Sequence, residues 1–190
     1  LKAKQMEILK KDLSSFVEKL PFRLTGAQLR TINDISNDLS KVKPMRRLVQ
    51  GDVGSGKTVV AAVSMYISTK NNSQSVLLCP TEVLAEQHYK NFTEWFENTN
   101  IKIELLTGKM SAVIRKDIYQ RLEEGKIDIL IGTHAVFQDK VKMKNLGLVI
   151  VDEQQRFGVK QRFDLVKKSS NKIMPHQLFM TATPIPRTLA

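Results

Sequence analysis

Residues 51–58 read GDVGSGKT, and few eight-residue stretches restrict a fold so strongly. They fit G-x-x-x-x-G-K-[ST], a pattern that works where a strand ends and a helix begins. The glycines let the backbone wrap a phosphate, the amides of Gly54 to Thr58 point inward, and the helix N-terminus adds a favourable dipole. Both flanks comply. RRLVQ (46–50) precedes the loop as a short strand-like run, and Val59, Val63 and Ile67 follow it at helical period. The bland alternative is a glycine-rich turn with an exposed lysine, but a chance match is expected in only about one chain of this length in a hundred.

A strand, a phosphate loop and a helix imply a βαβ architecture, and the rest of the chain repeats it. Further runs are SVLLC (75–79), IKIELL (101–106), KIDILIG (126–132), LGLVIV (146–151) and HQLFMT (176–181). Most are continuously apolar, as strands buried on both faces of a parallel sheet must be. Between them Leu84, His88 and Phe92, and Ile114, Ile118 and Leu122, recur at helical spacing. The expected fold is α/β, a doubly wound and mostly parallel sheet with helices on both faces. Ahead of it Met6, Leu9, Leu13, Phe16, Val17 and Leu20 predict a connector helix over residues 1–20, ended by Pro21. A second helix is expected to start at Thr25 and to bury Ile32, Ile35 and Leu39.

The 190 residues suffice for one sizeable domain, residues 21–190. No window is apolar for the eighteen or so residues that a membrane span needs, and the start lacks a signal peptide's apolar core. A cytoplasmic protein is expected. The single cysteine, Cys79, lies in an apolar run and reads as a buried small hydrophobe. A net charge of +11 and a pI near 9.8 give a positive field that attracts polyphosphates, with nucleic acid the leading partner.

In the loop, Lys57 is placed to reach the β- and γ-phosphates of a nucleotide and the Thr58 hydroxyl to bind Mg²⁺. The second acidic feature is VDEQQ, where a strand delivers Asp152 to the sheet edge as a Mg²⁺-holding carboxylate. Glu153 follows, placed to orient and deprotonate an attacking water. Such an acid pair signals ATP hydrolysis rather than phosphate transfer to a small substrate.

With these residues stand LPFRLTGAQ, PMRRLVQGDVGSGKT, PTEVLAEQH, GTHAVFQ, VDEQQRFGVKQR and MTATPIPRTLA. In that order they resemble the first motor domain of the superfamily 2 helicases, and within them the RecG family of branch-migration helicases. The resemblance implies a RecA-like P-loop NTPase domain of a bacterial, nucleoid-associated DNA translocase that uses ATP and Mg²⁺ to remodel stalled forks and Holliday junctions. Its ATP-binding residues are Phe22, Thr25, Gln28, Gly51, Gly54, Ser55, Gly56, Lys57, Thr58 and Gln155, with Gln28 bonding the adenine edge.

The resemblance also assigns DNA phosphate contacts to Thr81, which caps a helix, and to Thr107, Gly108, Lys109, Gly132 and Thr133 after the third and fourth strands. These track the backbone without reading bases. Thr181 and Thr183, in TATPIP, are assigned to coupling nucleotide state to DNA grip. His88, His134 and His176 show no metal-ligand spacing with cysteine, so a structural or phosphate-side role is expected. Gln155 stands where RecG proteins usually carry histidine and leans toward the transcription-repair coupling translocase, which has Asp-Glu-Glu-Gln followed by Arg-Phe-Gly, whereas Gln154, Ser55 and PIPRTLA favour RecG. The motifs imply a monomer that needs a second RecA-like domain to supply an arginine finger. Without it, near-inactivity is expected. The alternative from another class is a nucleotide-gated DNA-binding adaptor.

Overall fold

The computed structural model of the chain describes residues 1–51, 55–153 and 157–182, with Ser55 placed by its backbone alone. Gly54, Gln155 and Thr183, expected in the site, lie outside the described residues, as does the Ser55 side chain.

The elements are α1 (Lys10–Glu18), α2 (Gly26–Leu39), β1 (Arg46–Gln50), α3 (Ser55–Lys70), β2 (Gln74–Leu78), α4 (Glu82–Trp95), β3 (Ile103–Leu106), α5 (Ala112–Glu123), β4 (Ile129–Gly132), β5 (Leu146–Asp152), α6 (Val159–Lys168) and β6 (His176–Thr181). A 3₁₀ turn, His134–Phe137, follows β4. Helix starts match their chemistry: Thr25, Thr81 and Ser111 each accept from the backbone N–H three residues on. At Thr25 the bond is reciprocal, since the Gln28 side chain accepts from the Thr25 N–H, making a capping box.

The strands form a six-stranded sheet in the order β1-β6-β5-β2-β4-β3, with every pairing parallel. Central β5 is buried along all seven residues, which is why its sequence is apolar without alternation. Side chains divide by parity between two cores. Leu77, Leu148 and Ile150 join α1 to α4 on one face; Val76, Leu78, Val149 and Val151 join α5 and α6 on the other.

The N-terminal expectation needs correction. Helix α1 covers only Lys10–Glu18, and residues 1–9 form no helix. Their backbone is satisfied by neighbours instead: the Ala3 N–H donates to Val42 O at 2.8 Å and the Met6 N–H to Leu39 O at 2.7 Å. Met6 sinks fully into the core from this strap, so its burial suits the helical pattern without a helix. Phe16 anchors α1 by stacking on Tyr66 at 4.2 Å between ring centroids and tilting against Phe96 at 4.9 Å. The first twenty residues therefore share the domain's core rather than standing off from it.

Parallel pairing puts every strand's carboxyl end on one edge of the sheet. The strand order then sorts the motifs along that edge. The carboxyl ends of β1, β5 and β6 lie toward one end of it, and those of β2, β4 and β3 toward the other. The boundary runs between β5 and β2.

Candidate functional site

Lys57 leaves the first turn of α3 and is 8% exposed. Its Nζ lies 2.5 Å from Glu153 Oε1, across 96 residues of sequence. Glu153 is held from several sides. Its N–H donates to Met180 O at 2.9 Å, and its Oε1 also accepts from the Ala182 N–H at 2.8 Å. Its φ of 36° lies in the left-handed region, which costs a residue with a Cβ on the order of 1 kcal/mol and is typical of functional turns. The turn takes the chain out of β5 so that two neighbouring carboxylates diverge. Gly51, on the other side of Lys57, donates its N–H to Thr181 O at 3.2 Å; a Cβ there would come 3.0 Å from Lys57 Cγ.

The Lys57 ammonium holds the Glu153 carboxyl below the ordinary range, against a smaller upward push from burial. A carboxylate whose folded pKa is depressed stabilises the fold above its unfolded pKa, about 4.3, and loses that contribution as pH falls through the folded value. Wild-type protein should therefore exceed Lys57→Met in thermal midpoint at pH 7, with the gap closing below about pH 4. A gap that stays constant from pH 7 to pH 3 would remove the pair as its source.

Asp152 is 4% exposed, and its Oδ2 lies 2.7 Å from His88 Nε2 on α4. A carboxylate oxygen is an acceptor, so Nε2 is the ring nitrogen placed to donate to it. Cys79, at the end of β2, completes a buried group whose ligand atoms lie within 4.8 Å of one another. Chain spacing alone gave no hint of this group, because its members are brought together across β2, α4 and β5. Burial, reinforced by Asp152, pushes the Cys79 thiol up, so it stays protonated and offers no thiolate to a soft metal. Of this group only Asp152 offers a hard oxygen, the kind of donor that suits Mg²⁺.

Gln28 is already engaged. Its Oε1 accepts from the Thr25 N–H at 2.8 Å and its Nε2 donates to Gly56 O at 3.2 Å, tying α2 to the first turn of α3. One amide proton and one lone pair remain for an adenine edge. Phe22 packs edge-on against Trp95, with 5.5 Å between centroids.

Of the residues expected to meet DNA, the structure turns only some outward. Thr81 is exposed, with its hydroxyl accepting from the Leu84 N–H at 3.2 Å. Gly108 and Lys109 are exposed too, and Lys109 Nζ lies 3.2 Å from Glu82 Oε2 in the first turn of α4. Thr107, Gly132 and Thr133 instead lie buried beneath that surface. Their burial lets Thr107 and Thr133 support the edge from below. Gly132 is there because a Cβ would sit 2.6 Å from Leu106 O, a backbone atom that cannot yield. His134 is exposed; His176 is buried and bonds to the Met45 N–H at 3.0 Å and Lys4 O at 2.7 Å, a structural role.

Compared with known families, residues 25–190 match the model for the DEAD/DEAH box helicase. The chain belongs to the DEAD/DEAH box helicase family. Among curated relatives of this helicase domain is the ATP-dependent DNA helicase RecG of Aquifex aeolicus, 50% identical over 189 residues, which are 100% of this chain and 24% of that protein. RecG of Bacillus subtilis is 50% identical over 94% of this chain and 26% of its own. The chain thus spans about a quarter of these helicases. A solved structure of RecG bound to a three-way DNA junction matches 100% of this chain and 25% of that one, with a TM-score of 0.86 and 42% identity. The DEAD-box helicase Mss116, at 19% identity and a TM-score of 0.72, covers 96% of this chain and 40% of its own, and shares the fold. Among the described residues of this helicase domain, no helix is long and apolar enough to cross a membrane.

Proposed function

We propose that the chain is the first, ATP-binding motor domain of a RecG-type DNA helicase that remodels stalled forks and Holliday junctions in a bacterial cell. The observation that carries this reading is the sorting of the sheet edge: Lys57, in the first turn of α3, meets Glu153 just past β5, while Thr81, Gly108 and Lys109 follow β2 and β3. One end thus offers phosphate chemistry on a nucleotide and the other an exposed, sequence-blind surface for a DNA backbone.

In this reading the terminal phosphate of ATP competes with Glu153 for Lys57. Lys57 then stabilises the phosphate oxygens, and Glu153, released, takes the proton of the attacking water. Thr58 and Asp152 hold Mg²⁺, which supplies charge neutralisation on the phosphates. Gln28, with Thr25 and Phe22 around it, meets the adenine. The residues outside the described set keep their assigned parts: Gly54 and Ser55 in the phosphate loop, Gln155 beside the nucleotide, and Thr183, with Thr181, in coupling. Gly51 and Gly56 give the loop its close approach. A second RecA-like domain closes the cleft with its arginine, and the protein acts in the cytoplasm, at the nucleoid, as a monomer.

At the DNA end, Lys109 exchanges Glu82 for a phosphate, while Thr107, Gly132 and Thr133 keep the loops in place. Affinity of the full-length protein for branched DNA should then fall steeply with salt, by about 0.9 log units per log unit of salt for each phosphate neutralised, and vary little with sequence. A flat salt response, or a strong sequence preference at constant shape, would count against backbone tracking.

A further inference from the structure

His88 lies on the DNA-side helix α4 but bonds the acid assigned to the nucleotide side. Its Nε2 reaches Asp152 Oδ2 at 2.7 Å, with the two side chains 10% and 6% exposed. This contact crosses the boundary between β5 and β2 that otherwise separates the two ends of the edge. Its other ring nitrogen, Nδ1, is buried and has no hydrogen-bond partner among the described residues. A buried polar atom left unpaired costs roughly 1–3 kcal/mol, so a histidine kept only to fill space would be a poor choice beside leucine. The ring is there for its Nε2 proton.

We propose that His88 is a positioning residue for Asp152: it fixes which carboxylate oxygen faces Mg²⁺, and it makes that orientation depend on where α4 sits. The inference rests on the proposed role of Asp152. Helix α4 begins at Thr81, on the surface assigned to DNA, and His88 stands seven residues on, two turns along the same rigid rod. A small shift of α4 when its first turn meets a phosphate is therefore felt at Asp152 through one hydrogen bond. Partners that orient a metal-holding group from behind typically change metal affinity by about 10–100-fold when removed.

The test uses the full-length protein with His88→Leu, which keeps bulk and removes the donor, and His88→Gln, which restores an N–H at similar reach. The readout is the gain in affinity for a fluorescent ATP analogue when Mg²⁺ replaces EDTA. His88→Leu should cut that gain about tenfold or more, leave affinity in EDTA within about threefold, and lower the stimulation of hydrolysis by DNA; His88→Gln should recover most of both. Two results would overturn the proposal: a Mg²⁺ gain in His88→Leu equal to wild type, or equal losses in both variants together with weakened binding in EDTA, the mark of a packing role. Wild-type ATP turnover, measured in parallel, tests the motor assignment separately, because the binding readout needs no hydrolysis.

Discussion

Glu153→Gln should lower DNA-stimulated ATP hydrolysis by the full-length protein about 10²–10⁴-fold while nucleotide still binds. The substitution is nearly isosteric. An amide oxygen can still accept from the Ala182 N–H, 2.8 Å from the native Oε1, so the turn after β5 keeps its geometry. What it loses is a group that can take a proton. The loss should therefore fall on kcat rather than on KM. Lys57, deprived of its anionic partner, has one fewer competitor for phosphate, so ATP affinity should hold or improve. Unchanged turnover in this variant would sink the water-activating role and favour an adaptor that binds ATP without consuming it.

The second large effect concerns the 190 residues by themselves. Alone, they should turn over ATP at least about 10³-fold more slowly than the full-length protein, the amount that an arginine supplied across a cleft contributes in related phosphoryl transfers. In the proposed reading the chain supplies the lysine for the terminal phosphate and the base for the water, while the arginine comes from the second RecA-like domain. The difference should persist at saturating ATP and DNA, since the missing contribution acts on the transition state. Turnover within the ordinary enzyme range of about 1–10³ s⁻¹ by the isolated chain would refute it.

The sheet was readable from sequence because parallel strands buried on both faces leave continuous apolar runs. LGLVIV became β5 with one added residue, Asp152. KIDILIG and IKIELL were read too long, since Lys126 to Asp128 and Ile101 to Lys102 lead into β4 and β3 without joining them. Helix α1 was overread at its start because Met6 is buried for reasons of tertiary contact rather than helical phase. Helix α6 received no prediction at all: its apolar stripe is short, and most of its ten residues are exposed or half-buried. In the site, Lys57, Asp152 and Glu153 could be singled out as candidates from loop and strand-end chemistry. The contact of His88 with Asp152 could not. Helical spacing with Leu84 and Phe92 turned it inward correctly, but its partner lies 64 residues away, and no local pattern encodes that distance. The burial of Thr107 and Thr133 was not legible for a related reason, because a motif names a loop without saying which side chains its surface shows.

The strand order also dictates when the parts can assemble as the chain leaves the ribosome. β2, β3 and β4 find one another within residues 74–132, so that half of the sheet can zip up early. β1, made before all of them, pairs only with β6, at residues 176–181. For some 125 residues of synthesis it has no strand partner, and its Leu48, 43% exposed even when folded, is covered by little. Arg46 and Arg47, at the head of that waiting strand, are the kind of charge that discourages a neighbouring nascent chain from pairing first. β1 is thus held in place last, when β6 slots between β1 and β5.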